Sequence, residues 1–272
     1  RNQSASTIRY NSSTGKERFI KYYYNPNNVT SISIRGVGIS NIPESVLTNL
    51  NSLDLLSNEL KEFPNLSILT PNLETLNLED NPFVLSRNSD ERKLNQNIAN
   101  KIPSTVKSII LGRCFNGSIE QNIFNGIDFP NLTSFNLSVN PRRNQSNYHS
   151  SDDNQNPAQL PNVGNTVTSY NVRNQRFTAF GTTGVGSSQR NCQDLSELKS
   201  LDLYNNSGLS DSSFTIDSSF IESINIGLTL LPIPDLRNKL NIKQFSYGYN
   251  RLTGIGSSVI ADDGSGSFKL SG

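Results

Sequence analysis

Leu50-Asn51-Ser52-Leu53-Asp54-Leu55-Leu56-Ser57-Asn58-Glu59-Leu60 is the stretch that decides the fold. From Ser52 to Leu55 polar and apolar residues alternate. In extended chain that alternation puts Leu53 and Leu55 on one face and Ser52 and Asp54 on the other. Asn58 follows where the chain must leave the strand, and Leu60 is apolar again. Written L-x-x-L-x-L-x-x-N-x-L, the pattern recurs at Leu73, Leu76, Leu78, Asn81, Phe83, and at Leu198, Leu201, Leu203, Asn206 with Leu209 displaced by one residue. Looser copies open at Val29, Val106, Leu132, Val167, Ile221 and Ile242, giving nine repeats in all. First positions at 29, 50, 73, 106, 132, 167, 198, 221 and 242 are 21 to 35 residues apart, so the longer intervals carry insertions.

A second regularity keeps the same frame. The residue before the second apolar position is Ser31, Ser52, Thr75, Ser108, Ser134, Ser169, Ser200, Ser223 and Gln244, a hydroxyl in all but the last, as a stacked column requires. The repeated Asn has a physical reason as well, since its amide can satisfy backbone groups of neighbouring turns that would otherwise be buried unpaired. Ile42-Pro43, Phe63-Pro64, Leu231-Pro232 and Ile233-Pro234 place an apolar residue and a proline on the return segments, which need no ladder donors. Where the Asn is replaced, by Val37, Cys114, Gln175 and Thr229, the frame is less firmly marked, and Val163-Gly164-Asn165 offers an alternative register for the sixth repeat.

These residues resemble the leucine-rich-repeat family over roughly residues 29–252, and Cys114 stands where that family commonly allows cysteine for asparagine. The resemblance implies a right-handed repeat solenoid with a parallel β-sheet on its concave face and a mostly irregular convex side carrying a short helix. Three parts are expected: residues 1–28 as an N-terminal β-hairpin cap, 29–252 as the solenoid of about nine repeats, and 253–272 as a C-terminal cap or linker.

Composition fits a thin core. Only 33% of the residues are hydrophobic and 17% charged, while 38 are asparagine. A solenoid one strand wide needs a single repeating apolar row, so it folds from such a sequence where a thick core would not. Net charge is +1, which argues against nucleic acid and anionic membranes as partners. No run of 18 apolar residues exists, so no membrane insertion is expected and the chain reads as soluble. Met is absent even at the first position, which reads as a segment of a longer polypeptide.

Between the third and fourth repeats, Ser86 to Lys101 carries Leu94 and Ile98 one helical turn apart and predicts a short helix. Asn140 to Pro161 and Thr182 to Arg190 read as exposed loops. At the N-terminus, Thr7 to Tyr10, a turn, and Arg18 to Tyr24 read as a hairpin that caps the first repeat. The string Ile8-Arg9-Tyr10-Asn11-Ser12-Ser13-Thr14-Gly15-Lys16 is similar to an "IRYN-S-T-GK" hairpin that recurs in tail-fibre and other structural proteins of tailed bacteriophages. This similarity implies a virion component of tail, baseplate or fibre, with neighbouring virion subunits as partners.

Residues with catalytic or metal-binding chemistry are few and scattered. His149, the single histidine, lies four residues before Asp153 in the most polar loop, a setting that reads as solvated rather than catalytic. Gly181, Gly184 and Gly186 lack the strand, helix and lysine of a phosphate loop and read as a flexible turn. Cys114 and Cys192 lie three repeats apart, so free thiols are expected. A hydrolase would need paired carboxylates in one cleft, and Asp54 and Asp202 stand in well-separated repeats. No enzyme, cofactor or metal is therefore expected. The expected partner-binding residues line the concave face: Arg35, Asp54, Asn77, Arg113, Asn136, Asn171, Arg173, Asp202, Tyr204, Asn225 and Tyr249. They suit a protein or a host-surface glycan, and the alternative setting is an extracellular or cell-surface adhesin or receptor domain, for which Asn28, Asn65, Asn116, Asn131 and Asn205 supply Asn-x-Ser/Thr triplets.

Overall fold

A computed structural model describes residues 4–11, 17–24, 28–42, 46–81, 83, 99–114, 123–138, 159–175, 177–180 and 189–248. Nine three-residue strands form one open parallel sheet in chain order: β3 (Ser31–Ser33), β4 (Ser52–Asp54), β5 (Thr75–Asn77), β6 (Ser108–Ile110), β7 (Ser134–Asn136), β9 (Ser169–Asn171), β11 (Ser200–Asp202), β12 (Ser223–Asn225) and β13 (Gln244–Ser246). Each repeat contributes one strand and returns to place the next beside it; we call each such unit a coil. The register aligns Ser31, Ser52, Thr75, Ser108, Ser134, Ser169, Ser200, Ser223 and Gln244 in one column, and Ile32, Leu53, Leu76, Ile109, Phe135, Tyr170, Leu201, Ile224 and Phe245 in the next. Val163-Gly164 therefore leaves the sixth register unshifted. These two residues form β8 (Val163–Gly164), which pairs antiparallel with β10 (Gln189–Arg190) away from the main sheet.

The alternation does what it predicts. Leu53 and Leu55, Leu76 and Leu78, Leu201 and Leu203 are all buried, and each buried leucine stabilises the stack by roughly 1.5–3 kcal/mol. In the coils opened by Leu132 and Val167 the second apolar position is aromatic. Phe135 and Tyr170 sit 5.2 Å apart, Phe124 lies 5.0 Å from Phe135, and the buried Tyr170 hydroxyl donates to the Pro161 carbonyl at 2.9 Å.

The corner after each strand repeats with equal regularity. Gly36, Ser57, Asp80, Arg113, Asn174, Asn205 and Leu228 occupy equivalent places, and all have φ between 53° and 65°. This left-handed conformation costs about 1–2 kcal/mol for an ordinary side chain, so the stack must offset it. It does so by aiming each N–H at the following coil: Gly36 to Leu56 O, Ser57 to Glu79 O, Asp80 to Gly112 O, Asn174 to Tyr204 O, Asn205 to Gly227 O and Leu228 to Gly248 O.

Next comes the asparagine. Asn81 donates to the Leu78 carbonyl of its own coil and the Leu55 carbonyl of the coil before, both at 2.9 Å, while its oxygen accepts from Leu60 N–H at 3.3 Å. Asn58 and Asn206 repeat the arrangement. The substitutes keep part of it: the Cys114 thiol reaches Leu78 O, Gln175 reaches Leu137 O, and the Thr229 hydroxyl bonds its own coil at Ile226 O.

A further ladder, which the repeat pattern does not reveal, runs ahead of the strands. Asn72, Thr105, Asn131 and Asn241 donate to Thr48 O, Pro71 O, Ser104 O and Ser219 O of the preceding coil.

α1 (Leu66–Leu69) is a single helical turn that anchors buried Leu66, and Ala99 is helical as well. The helix expected within Ser86 to Lys101 falls almost wholly outside the described residues, as does most of Asn140 to Pro161. Two loop boundaries are corrected. Leu160 and Pro161 are buried, and Gln159 bridges Ala179, because Leu160 has a core place to fill. Gln189 and Arg190, expected in the glycine-serine loop, belong to β10. The N-terminal hairpin forms as β1 (Ser4–Asn11) antiparallel to β2 (Glu17–Tyr24), Ser4 opposite Tyr24 and Asn11 opposite Glu17. Residues 249–272 lie outside the described ones.

Asn81→Ala would leave the buried Leu60 N–H unpaired and take one of two donors from each of the Leu55 and Leu78 carbonyls, which keep Asn58 and the Cys114 thiol; it is expected to cost about 2 kcal/mol, whereas Asn77→Ala, removing one half-exposed bond, should cost about 1 kcal/mol. Urea denaturation of the two variants against the parent checks the ratio.

Candidate functional site

The outward face of the sheet is built by the residues between the buried pairs. Register places Ser33, Asp54, Asn77, Ile110, Asn136, Asn171, Asp202, Asn225 and Ser246 in a single column, so most of the expected binding residues stand side by side.

Their side chains are not simply projecting, however. Asp54 Oδ1 accepts from Leu56 N–H, Asn77 Oδ1 from Glu79, Asn136 Oδ1 from Ser138, Asn171 Oδ1 from Arg173, Asp202 Oδ1 from Tyr204 and Asn225 Oδ1 from Gly227, at 2.8 to 3.4 Å. Each is an Asx turn that ends its strand after three residues. Asp and Asn recur here because the backbone needs an acceptor two residues before the turn. One side-chain atom is thereby committed to the fold, and Asp54 Oδ2 accepts in addition from Arg35 Nε at 2.7 Å.

A second outward column lies three residues past each strand centre and holds Arg35, Leu56, Glu79, Gly112, Ser138, Arg173, Tyr204, Gly227 and Gly248. Arg35 is exposed here, and Arg173 and Tyr204 are half-buried. Arg113, expected beside them, does not belong to this column. It sits one residue further on, in the left-handed corner, 9% exposed, with its Nε 3.6 Å from Asp80. Gly112 takes the outward place in that coil because a Cβ there would lie 1.9 Å from the Ser138 carbonyl oxygen. Tyr249, by its number, also follows the corner rather than the column, and lies outside the described residues.

Charges on the face neutralise one another. Arg35 pairs with Asp54, Lys107 Nζ lies 2.8 Å from Glu74, Lys243 Nζ lies 2.7 Å from Glu222, and Arg173 lies 3.8 Å from Asp202. Exposed pairs of this kind add at most about 1 kcal/mol each. The hydrogen bond and charge of Asp54 raise the pKa of Arg35, and the Lys243 hydrogen bond lowers that of Glu222. Asp202 shifts the other way. Burial raises its pKa, against the opposing pull of the Tyr204 N–H, Arg173 and Asn225.

Among the described residues no group of three His, Cys, Asp or Glu side chains is placed to hold a metal ion. His149 and Asp153 lie outside the described residues, and so do Gly181, Gly184 and Gly186. Cys114 and Cys192 are free and buried, and burial pushes both thiols far above their usual range. No described helix is long and apolar enough to cross a membrane. No family model matches the chain, and a search of curated proteins returns no match.

Two outcomes are expected. An Asp202→Asn variant keeps the turn, as Asn171 and Asn225 do on either side. Because the folded-state pKa of Asp202 stands above the unfolded 3.8, its ionisation costs stability that grows as pH rises through the folded value and is absent well below 3.8. Asp202→Asn should therefore melt higher than the parent at about pH 7 and equal to it at about pH 3 in calorimetric scans. Secondly, the two buried thiols should resist an aromatic disulfide reagent in native protein and react only after denaturation.

Proposed function

We propose that this chain is a leucine-rich-repeat solenoid that acts without catalysis, presenting the outward face of its sheet to a macromolecular partner. The observation that carries the reading is the pair of outward columns held in register across nine strands, with Arg35 paired to Asp54 and Arg173 to Asp202 within them. Such a face offers amides, hydroxyls, an aromatic ring and paired charges over many coils, the composition of a recognition surface rather than of a cleft. Arg35, Asp54, Asn77, Asn136, Asn171, Arg173, Asp202, Tyr204 and Asn225 are its proposed contact residues.

The proposed setting is the virion of a tailed bacteriophage, with neighbouring virion subunits as partners. Its support is the similarity of Ile8 to Lys16 to hairpins of tail-fibre and other structural proteins, and that string begins in β1 and runs to the start of β2. A second reading, an adhesin or receptor domain outside a cell, is favoured by the exposure of Asn28, Asn65 and Asn131, each in an Asn-x-Ser/Thr triplet.

Photo-cross-linking residues installed at Ser134 and Ser223 on the face, and at Thr48 and Asp235 on the return side, separate these ideas. Products from the face positions alone are expected. Products from the return side alone would overturn the reading, and the mass of the captured partner, virion subunit or surface glycoprotein, decides the setting.

A further inference from the structure

The sheet stops at β13, whose far edge meets no described strand. Its apolar row shows the consequence. Ile221, Ile224 and Ile226 of the coil before are fully buried, whereas Ile242, Phe245 and Tyr247, which occupy the same three places one coil later, are only half-buried. Leu236 is half-buried as well, and Leu240, two residues ahead of Ile242, is 88% exposed. An apolar row left at an open edge is a liability that a further layer removes. The backbone is prepared for one. At every earlier step, two consecutive N–H groups of a coil donate to one carbonyl of the coil before, as those of Lys243 and Gln244 do to Glu222 O. The residue after each strand donates forward, as Ile226 N–H does to Ser246 O. In the last coil the Lys243 carbonyl and the Tyr247 N–H hold those two places.

The chain continues for 24 residues beyond Gly248, and one string in them repeats the strand pattern. Ser267-Phe268-Lys269-Leu270 reads hydroxyl, apolar, polar, apolar, as Ser52-Leu53-Asp54-Leu55 and Ser223-Ile224-Asn225-Ile226 do. Ser267 comes 23 residues after Gln244, the interval that also separates Ser52 from Thr75 and Ser200 from Ser223. Ser258-Val259-Ile260-Ala261 alternates too, but it comes 14 residues after Gln244, and no interval between repeats is shorter than 21. We infer that Ser267, Phe268 and Lys269 add a tenth parallel strand to the open edge of β13, opposite Gln244, Phe245 and Ser246. The N–H groups of Gly266 and Ser267 donate to the Lys243 carbonyl, Tyr247 N–H donates to the Lys269 carbonyl, and Phe268 and Leu270 cover Phe245 and Tyr247. The tenth coil also lengthens the outward face, since Ser267 joins the hydroxyl column and Lys269 the column of Asp and Asn. The inference rests on the stacked sheet and not on the reading of that face.

The test is a pair of disulfide traps in the full chain. Neighbouring residues of in-register parallel strands stand about 4.8 Å apart, inside the span that a disulfide bridges. Ser246→Cys with Lys269→Cys should therefore close an intramolecular disulfide under mild oxidation, seen in the mass of the monomer as the loss of a hydrogen from each thiol. Ser246→Cys with Leu270→Cys should stay reduced, because Leu270 faces the other side of the strand. The buried Cys114 and Cys192 take no part. In chains without added cysteine, Phe268→Asp should lower the melting temperature by about 4 °C or more, and Lys269→Ala should leave it within about 1 °C of the parent. A first pair that stays reduced overturns the inference, and so does a Phe268→Asp variant that melts like the parent. Two pairs that close equally would mean a loose tail, and disulfides between copies would make a second chain the occupant; either result also overturns it.

Discussion

The structure depends on hydrogen bonds that cross from one coil to the next at the corner after each strand. Three-residue strands pair only briefly, and just beyond them the backbone turns inward, where water cannot satisfy it. An unpaired buried amide or carbonyl costs about 1–3 kcal/mol, and this chain would repeat that cost in every coil. The side chains of Asn58, Asn81 and Asn206 remove it by bonding two carbonyls and at least one N–H, spanning their own coil and the one before. A glutamine, a cysteine and a threonine each make some of these bonds elsewhere, which explains why the pattern tolerates them. The left-handed corner residues belong to the same device, since their conformation is what points an N–H along the stack.

This dependence accounts for the unusual composition. The apolar interior is only one row of side chains deep, so 33% hydrophobic residues suffice, and the burden of cohesion passes to amides and hydroxyls. Asparagine serves at three distinct places: the corner ladder, the Asx turns on the outward face, and the ladder led by Asn72 and Asn131. The face inherits a constraint from this. Its Asp and Asn residues end the strands with one atom, and Asp54 gives its other oxygen to Arg35, so much of their polar chemistry is spent within the fold. Arg35, Arg173 and Tyr204 in that second column carry the more adaptable chemistry.

The strand register was legible from the sequence because alternation leaves little freedom: shifting Leu53 or Leu76 by one residue would turn the apolar row to solvent. Asn as a corner residue was legible for the same reason, being tied to a fixed offset from that row. Arg113 does not join the outward face because, although positions three and four past the strand centre look alike in sequence, the left-handed backbone of the fourth turns its side chain away from the column. The Asx turns were hidden by their own plausibility as surface residues; the sign available was that Asp or Asn recurs at a place where a free surface would vary in type. The ladder through Asn72, Thr105, Asn131 and Asn241 precedes the apolar row by one residue, and only the stacked backbone shows which carbonyls it meets.

Coil length and sheet register are separable in this architecture. The interval between repeats varies from 21 to 35 residues, yet no strand in the middle of the sheet slips. Lengthening a return segment adds closure entropy only slowly, by about 0.6 kcal/mol per doubling, whereas a slip would break the corner ladder and expose the apolar row together. Added residues therefore gather on the return side, where Phe124, Leu160 and Val163 fill extra core space and β8 pairs with β10. The outward face keeps its spacing whatever happens behind it. Differences in what that face presents must then come from side chains at fixed points, and a change of side chain there leaves every strand in place.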